Sequence, residues 1–402
     1  MYNKKYSGGF QRKPNNNSFG RFNRNRFGSK KLRFGATHID PALFVKKAEE
    51  FITIEETLTV NSFADFKFHQ GLMSNIKAKG YLKPTKIQDE AIPHIIAGRD
   101  VLGIANTGTG KTAAFALPLI NKILNNPTER ILIMSPTREL AIQIQQEFRS
   151  FIPGLRIYMA LAIGGANIRR QITDIRRGPH IIIGTPGRIK DLGQRGVINY
   201  KGMTTLVLDE VDRMLDMGFI DDIKFIVNQT PSTRHTLFFS ATVKKREEML
   251  TAAFLNNPIK VSVETPDASS HVEQNVVRVP RNDKERKLCQ LVSLEEFKKV
   301  LIFGSTQMIV EKLTDSLIKK GFHALGLHGG KRQSQRQSIV RSFRENEVNI
   351  LVATDVAARG LDIADITHVI NFDQPNNYEE YIHRVGRTGR GNSKGFALTF
   401  ID

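Results

Sequence analysis

The architecture of this chain follows from the stretch Val101-Leu-Gly-Ile-Ala-Asn-Thr-Gly-Thr-Gly-Lys-Thr112. Its first five residues form an apolar run that predicts a buried strand, and the pattern after Thr112 predicts a helix. A glycine loop between a strand and a helix, closed by Lys-Thr, is typical of a phosphate-binding loop, because its backbone N–H groups and the helix N-terminus attract anions. We therefore predict nucleotide binding here, with a simple flexible turn as the alternative.

Two residues of this loop have specific roles in the predicted site. Lys111 is expected to reach the β- and γ-phosphates, and the hydroxyl of Thr112 is expected to ligate Mg²⁺. The loop departs from the usual pattern at Ala105, where glycine is expected, and alanine keeps the turn if its φ is negative. The predicted nucleotide-binding residues of the loop are Ala105, Asn106, Thr107, Gly108, Thr109, Gly110, Lys111 and Thr112.

Length and charge limit the class of protein. A chain of 402 residues is long enough for two domains with appendages. Lys and Arg number 59 and Asp and Glu number 40, a net charge of +19 that favours a polyanionic partner. The single cysteine, Cys289, excludes an intrachain disulfide and a cysteine metal site. The sequence shows neither a transmembrane run nor a secretory signal, so we expect a soluble cytoplasmic protein without a membrane partner.

The first 35 residues differ in composition from the remainder of the chain. They contain ten Lys or Arg residues and no acidic residue, with aromatic side chains scattered among them. This composition predicts a disordered tail, whose cations and aromatics suit phosphates and unstacked bases. A solubilising tail or a targeting segment is the alternative. Residues 38–58 contain a short helical pattern from Pro41 to Phe51, which we interpret as part of a connector.

The remainder of the chain alternates apolar strands with helical stretches. Most of the strands are continuous apolar runs, as expected for parallel strands buried on both faces. The predicted organisation is a tail and connector over 1–60, a first α/β domain over 61–264, a linker over 265–275 and a second α/β domain over 276–402. The predicted strands are Val101–Ala105, Ile131–Ser135, Ile157–Ile163, His180–Gly184, Thr205–Asp209, Thr236–Ser240, Ile259–Val263, Val276–Val279, Val300–Phe303, Ala324–Leu327, Ile350–Ala353, His368–Asn371 and Phe396–Ile401.

A second chemical motif is Leu206-Val-Leu-Asp-Glu-Val-Asp212. An apolar strand that ends in adjacent carboxylates supplies what a Mg²⁺-nucleotide site needs beside its phosphate-binding loop. Asp209 is expected to hold the metal, partly through water, and Glu210 to orient and deprotonate the attacking water. Acids at a solvated strand end are the alternative interpretation.

Taken together, the motifs resemble those of the DEAD-box RNA helicases over residues 61–402. One departure is Val211, which makes the box Asp-Glu-Val-Asp and leaves both flanking acids in place. The resemblance implies two tandem RecA-like parallel-sheet domains behind the disordered basic tail. The motifs, in chain order, are Gly80–Gln88, Ala105–Thr112, Pro136–Ala141, Gly164-Gly165, Thr185–Arg188, Asp209–Asp212, Ser240–Thr242, Thr354–Asp362 and His383–Arg390.

The resemblance also implies roles on the ATP side. Gln88 would bind both hydrogen-bonding edges of adenine, Tyr81 would stack on the base, and Asp362 would meet the ribose. Phe63 matches an isolated upstream aromatic of the family. Core packing is the alternative for both aromatics, and an equal one for Phe63. The implied catalytic residues are Lys111, Asp209, Glu210 and the arginine fingers Arg387 and Arg390, and the implied interdomain coupling residues are Asp212, Ser240, Thr242 and His383.

On the RNA side, the resemblance implies a groove that spans both domains and holds the sugar-phosphate backbone. Such contacts carry no sequence information, and sensing of 2′-hydroxyl groups would select RNA. The implied residues are Pro136, Thr137, Arg138, Gly164, Gly165, Thr185, Pro186, Gly187 and Arg188 in the first domain, and Gly304, Ser305, Thr306, Gln333, Arg336, Thr354 and Asp355 in the second.

The resulting prediction is an ATP- and Mg²⁺-dependent RNA helicase that closes on single-stranded RNA and unwinds short duplexes or remodels RNA–protein complexes. An RNA-binding scaffold with a negligible ATPase is the alternative, and a DNA helicase is the third. Nothing in the sequence predicts an obligate oligomer. The chain ends at Asp402, directly after a predicted strand, where family members usually continue into a helix. We therefore expect either a minimal or truncated chain, or a second domain whose sheet keeps an exposed face.

Overall fold

The computed structural model describes residues 39–48, 59–106, 108–241, 245–263, 271–358, 363, 365–389 and 394–402. Several predictions concern residues outside these ranges. They are the disordered tail over 1–35 and the roles of Thr107, Thr242, Asp362 and Arg390.

The first α/β domain is built on a parallel sheet of seven strands. Along the sheet the strand order is β3-β4-β2-β5-β6-β1-β7. The seven strands predicted from apolar runs are therefore confirmed, with ends that differ by a few residues. Their bounds are β1 Val101–Ile104, β2 Ile131–Met134, β3 Met159–Ala162, β4 Ile181–Gly184, β5 Thr205–Asp209, β6 His235–Ser240 and β7 Ile259–Ser262.

Helices cover both faces of this sheet. Strand β2 shows the consequence, because Ile131 and Ile133 join one hydrophobic core while Leu132 and Met134 join the core on the opposite face. A short 3₁₀ helix, Tyr200–Gly202, precedes β5. The helices are α1 Gln70–Ala78, α2 Lys86–Ile96, α3 Lys111–Asn125, α4 Arg138–Phe151, α5 Ile168–Arg176, α6 Pro186–Gln194, α7 Val211–Asp216, α8 Ile220–Gln229 and α9 Lys245–Phe254.

The second domain repeats this design with a parallel sheet of six strands in the order β10-β11-β9-β12-β13-β8. The strands are β8 Val272–Arg278, β9 Val300–Phe303, β10 Ala324–Leu327, β11 Ile350–Ala353, β12 His368–Asn371 and β13 Gly395–Ile401. The helices are the 3₁₀ helix Arg281–Asp283, α10 Lys284–Val292, α11 Gln307–Lys319, α12 Gln333–Arg344, α13 Asp355–Ala358 and α14 Tyr378–Val385.

Two predicted elements differ from the structure. Strand β8 starts at Val272 rather than Val276, because its pairing with β13 begins there. The added residues are mostly polar, so the sequence alone does not indicate a strand at that point. The helical pattern from Pro41 to Phe51 is also wrong as a prediction: a 3₁₀ helix covers only Pro41–Phe44, and Lys46 pairs with a strand instead. Hydrophobic periodicity does not register such long-range backbone pairing.

Among the described residues, no helix combines the length and the apolar character needed to cross a bilayer.

A buried histidine makes the stability of the second domain depend on pH. The His368 ring stacks 3.8 Å from Phe297 and 5.0 Å from Phe396, measured between ring centroids. The residue is 4% exposed, and burial lowers its pKa to about 4. The folded domain therefore holds this imidazole in its neutral form throughout the neutral pH range.

We expect the second domain to lose stability as the pH falls through the interval between the two histidine pKa values. The unfolded chain takes up a proton near pH 6.5 while the folded chain resists until about pH 4, so acid favours unfolding by roughly 2 kcal/mol at pH 5 relative to pH 7.5. Urea unfolding of the wild type and of His368→Gln at both pH values measures this difference. The variant should show a smaller loss, and an equal loss in both proteins would contradict the assignment.

Candidate functional site

The carboxyl edge of the first sheet gathers the predicted nucleotide residues. The phosphate-binding loop follows β1, Asp209 ends β5 and Ser240 ends β6, and these three strands are neighbours. Ile104 pairs with Ser240, and Asp209 pairs with Phe239. The parallel sheet thus brings motifs that are up to about 130 residues apart in sequence to one place.

The backbone of the loop requires two of its glycines. Gly108 and Gly110 have φ values of 87° and 93°. A Cβ on Gly110 would lie 2.5 Å from Nε2 of Gln88. Ala105 is not among the residues with positive φ, and its N–H donates to the Ser240 carbonyl at 3.1 Å. Alanine is therefore compatible with the turn, as predicted.

Lys111 is the residue in this loop whose environment points most directly to an anion. It is the first residue of α3 and is 7% exposed. Its Nζ donates no hydrogen bond to any described residue. A buried ammonium without a hydrogen-bond acceptor is costly, so the position fits a phosphate group of a bound nucleotide.

The two carboxylates at the end of β5 have different electrostatic environments. Burial raises the pKa of Asp209 to about 7, with Lys111 opposing and Glu210 reinforcing the increase. Burial also acts to raise the pKa of Glu210, but the charges of Arg213, Lys111 and Arg387 outweigh it and hold that pKa below its usual range. Glu210 is therefore ionised at neutral pH, as a proton acceptor must be.

Glu210 is also distinguished by its backbone. Its φ is 53°, in the left-handed region that residues with a Cβ rarely adopt, and it directly precedes α7. Arg213, which the sequence analysis missed, donates from Nη1 to Glu210 Oε2 at 2.8 Å, and both side chains are buried. Backbone strain that surrounding contacts maintain is typical of functional sites.

The predicted coupling residue Asp212 contacts the backbone directly after β6 inside the first domain. Asp212 accepts hydrogen bonds from the backbone N–H of Ala241 at 3.2 Å and of Arg213 at 3.0 Å. The Ser240 hydroxyl is buried and has no hydrogen-bond partner among the described residues. The box and the end of β6 are therefore physically connected, and contacts of Asp212 with the second domain stay a prediction.

A cavity of about 280 Å³ joins the two domains at this edge. Arg387 of the second domain is 5% exposed and lines the cavity, with its Nε donating to the His383 carbonyl at 3.3 Å. The cavity thus places one predicted arginine finger beside the predicted base and lysine. Its lining residues are Tyr81, Gly108, Gly110, Lys111, Thr112, Ala113, Leu140, Gln143, Ile144, Glu147, Asp209, Glu210 and Arg387.

The residues predicted to bind the adenine base mainly contact other residues of the first domain. The Gln88 amide accepts from the Thr85 N–H at 3.0 Å and donates to the Gly110 carbonyl at 3.1 Å, so in this structure it supports the phosphate-binding loop. The Tyr81 hydroxyl donates to Glu147 at 3.2 Å, and Tyr81 lines the cavity. Phe63 is 3% exposed and belongs to the hydrophobic core of the first domain that contains Ile131 and Ile133, which matches its core-packing alternative.

The other half of the same sheet edge carries the predicted RNA residues. A second cavity of about 450 Å³ follows the ends of β2, β3 and β4 and reaches the second domain. Its lining residues are Pro136, Thr137, Arg138, Glu139, Gly164, Thr185, Gly187, Arg188, Met217, Phe219, Gly329, Arg336 and Val356. Eight of them were predicted as RNA-binding residues, so the structure does bring these together; Pro186 does not line the cavity, and Gly165 lines a neighbouring one.

The sequence analysis missed a contact between the domains at the floor of this groove. Arg336 donates from Nε to Glu139 Oε1 at 2.8 Å, and Gln333 donates to the same oxygen at 3.4 Å. All three side chains are buried. In this structure Gln333 and Arg336 connect α12 to α4, and their predicted contact with RNA stays a prediction. Glu139 lies within the motif Pro136–Ala141, and this position was the sequence signal that could have identified it.

Comparison with known proteins settles the family. Residues 85–250 match the DEAD/DEAH box helicase model, and residues 283–392 match the helicase conserved C-terminal domain. The chain belongs to the DEAD/DEAH box helicase family. It is 42% identical over 341 residues to the ATP-dependent RNA helicase CshA of Limosilactobacillus reuteri, a match that covers 84% of this chain and 69% of that protein.

Solved structures confirm the RecA-like fold of this helicase. The structure of S. cerevisiae Dbp5 bound to RNA and ADP BeF3 matches with 28% identity and a TM-score of 0.76, over 85% of this chain and 89% of that one. Mss116p bound to ssRNA and AMP-PNP matches with 27% identity and a TM-score of 0.77, over 89% of this chain and 76% of that one.

In the second domain of the helicase, the predicted RNA residues cluster at neighbouring strand ends. Gly304, Ser305 and Thr306 follow β9, and Thr354 and Asp355 follow β11, the adjacent strand. The Thr306 hydroxyl accepts from the Ile309 N–H at 3.2 Å and caps α11, while the Ser305 N–H donates to Asp373 at 2.8 Å.

Asp355 forms a partly buried ion pair that the sequence analysis did not predict. Arg384 donates to both of its carboxylate oxygens, at 2.6 and 2.7 Å, and also bonds Asn371 and the Asp373 carbonyl. Arg384 is 2% exposed and lies over the Phe303 ring, 5.0 Å from its centroid. This arrangement fixes α14, which precedes Arg387, against the strand ends of the second sheet.

The two residues predicted to bind Mg²⁺, Thr112 and Asp209, carry suitable ligand atoms. Carboxylate and hydroxyl oxygens, which Asp209 and Thr112 supply, are the hard ligands that Mg²⁺ prefers. Within the described parts of the chain, no group of three or more His, Cys, Asp or Glu residues is placed to hold a metal ion. The binding of Mg²⁺ by Asp209 and Thr112 stays a prediction.

Proposed function

We propose that this protein is an ATP-dependent RNA helicase whose two domains close on single-stranded RNA. The observation that carries the proposal is the cavity that Lys111, Asp209 and Glu210 share with Arg387 of the second domain. A base, a lysine and an arginine around one cavity are the groups that phosphoryl transfer to water requires. Because they come from two domains, hydrolysis depends on the relative position of those domains.

Within this site each residue has a distinct task. Lys111 binds the terminal phosphates of ATP, and Arg387 stabilises the charge that develops on the transferred group. Glu210, held ionised by its basic neighbours, accepts the proton of the attacking water. Mg²⁺, held by Thr112 and Asp209, would neutralise phosphate charge when bound. The family resemblance adds four further residues to the proposed site, which are Arg390, Asp362, Thr107 and Thr242.

The second groove supplies the proposed RNA interface. Arg138, Arg188 and Arg336 lie together along it, and burial together with the charge of Arg336 lowers the pKa of Arg138. Glu139 neutralises part of this positive charge through its ion pair with Arg336, and a phosphate backbone would bind the charge that remains. RNA bound across both domains would offset the entropy lost when they close, which links RNA to hydrolysis. Local unwinding of short duplexes or remodelling of RNA–protein complexes follows from such closure.

ATP turnover with no nucleic acid, with single-stranded RNA and with DNA of the same sequence tests this function. We expect stimulation by RNA and little stimulation by DNA, since contacts to 2′-hydroxyl groups distinguish the two. RNA binding without a change in turnover would instead indicate an RNA-binding scaffold. Equal stimulation by both polymers would indicate a helicase without RNA selectivity.

A further inference from the structure

The segment over residues 39–48 precedes the first domain in sequence but packs on the second. Its Phe44 is 0% exposed and belongs to a hydrophobic core with Val272, Tyr381 and Ala397, all of the second domain. The rings of Phe44 and Tyr381 lie 4.6 Å apart between centroids. A fully buried phenylalanine contributes about 1.5–3 kcal/mol of apolar burial, so this is a stable docking contact.

Backbone pairing reinforces this contact. Lys46 donates its N–H to the Gln274 carbonyl at 3.0 Å and accepts from the Gln274 N–H at 2.7 Å, an antiparallel bridge on the edge strand β8. The Tyr381 hydroxyl bonds the Gln274 side chain at 2.9 Å. Residues 39–48 are therefore attached to both the sheet edge and α14, the helix that directly precedes Arg387.

The chain then crosses to the first domain within a short distance. Val60 and Asn61 donate backbone N–H groups to the Asp89 carboxylate at 2.7 and 3.1 Å, which anchors them to α2. Only ten residues, 49–58, join Ala48 to Thr59. At about 3.5 Å per residue, the Cα atoms of Ala48 and Thr59 stay within roughly 38 Å of each other. The two domains are thus linked twice, here and through residues 264–270.

We propose that residues 39–48 act as a strap, a positioning element that keeps Arg387 near Lys111 and Glu210 by tethering the second domain to the first. This inference rests on the proposed function, because it concerns the closure that hydrolysis requires. A short second tether raises the effective concentration of one domain at the other. It reduces the entropy that RNA must offset, so that less RNA is needed to reach the closed state.

Lengthening the tether tests the proposal while leaving the docked segment intact. Twenty Gly and Ser residues inserted between Phe51 and Ile52 make the link about three times longer. For a single tether, effective concentration falls with roughly the 3/2 power of length. Because the link through residues 264–270 remains, the RNA concentration for half-maximal ATPase should rise by less than about fivefold, with turnover at saturating RNA unchanged. The same insertion between Gly35 and Ala36, before the strap, serves as the matched control and should have no effect.

A second variant separates tethering from domain stability. Phe44→Asp should release residues 39–48 from the second domain and raise the RNA concentration for half-maximal ATPase in the same way. Phe44→Leu keeps an apolar side chain and should retain the wild-type value. If the long-link protein behaves as wild type and Phe44→Asp changes only the thermal unfolding of the second domain, the segment is a structural part of that domain and the strap proposal is wrong. A wild type whose ATPase does not respond to RNA would instead overturn the proposed function.

Discussion

Glu210→Gln should lower ATP turnover by about 10²–10⁴-fold while ATP and RNA still bind, because a positioned general base contributes on that order to the rate. The carboxylate is buried, and Arg213, Lys111 and Arg387 keep its pKa low. The amide has nearly the same shape and still accepts the Arg213 hydrogen bond. It cannot take a proton from water. The variant should therefore accumulate in an RNA-bound state with unhydrolysed ATP.

Steady-state turnover together with binding of a fluorescent ATP analogue and of labelled RNA measures this outcome. Glu311→Gln is a suitable control, since Glu311 is a 55% exposed acid on α11 of the second domain, far in sequence from the box. The control should hydrolyse ATP at the wild-type rate. Wild-type turnover in Glu210→Gln would show that another group activates the water.

Arg387→Ala should remove RNA-stimulated hydrolysis by about 10³–10⁵-fold, the range measured for arginine fingers. The guanidinium is 5% exposed and reaches the shared cavity from the second domain, whereas Lys111 belongs to the first. Nucleotide binding should therefore persist through Lys111. The loss concerns charge stabilisation in the transition state rather than affinity for ATP.

Single-turnover hydrolysis at saturating RNA and ATP isolates this step. Arg387→Lys keeps the charge without the planar fork of donors, so it should recover only a fraction of the rate. Arg341→Ala, at a side chain that is 68% exposed on α12, controls for general loss of positive charge. If Arg387→Ala stayed within tenfold of wild type, the interdomain cavity would not be the site of hydrolysis.

Local sequence pattern was sufficient for much of this architecture. Continuous apolar runs such as Ile131–Met134 identified strands buried on both faces, because such strands need apolar side chains at every position. The glycines between a strand and a helix indicated a phosphate-binding loop, and in the structure Gly108 and Gly110 have positive φ. Each of these patterns involves only a few neighbouring residues, so it can be recognised without knowledge of the tertiary structure.

Contacts between distant segments were decided by the tertiary structure alone. Glu139 meets Arg336 across 197 positions, and Tyr381 contacts Phe44 across 337. Neither pair leaves a trace in hydrophobic periodicity, since each partner is an ordinary charged or aromatic residue in its own element. The pKa of Glu210 likewise depends on three cations, one of them from the other domain. Sequence determined which chemistry this protein carries, whereas packing determined which side chains control it, because electrostatics and burial depend on distances in space rather than along the chain.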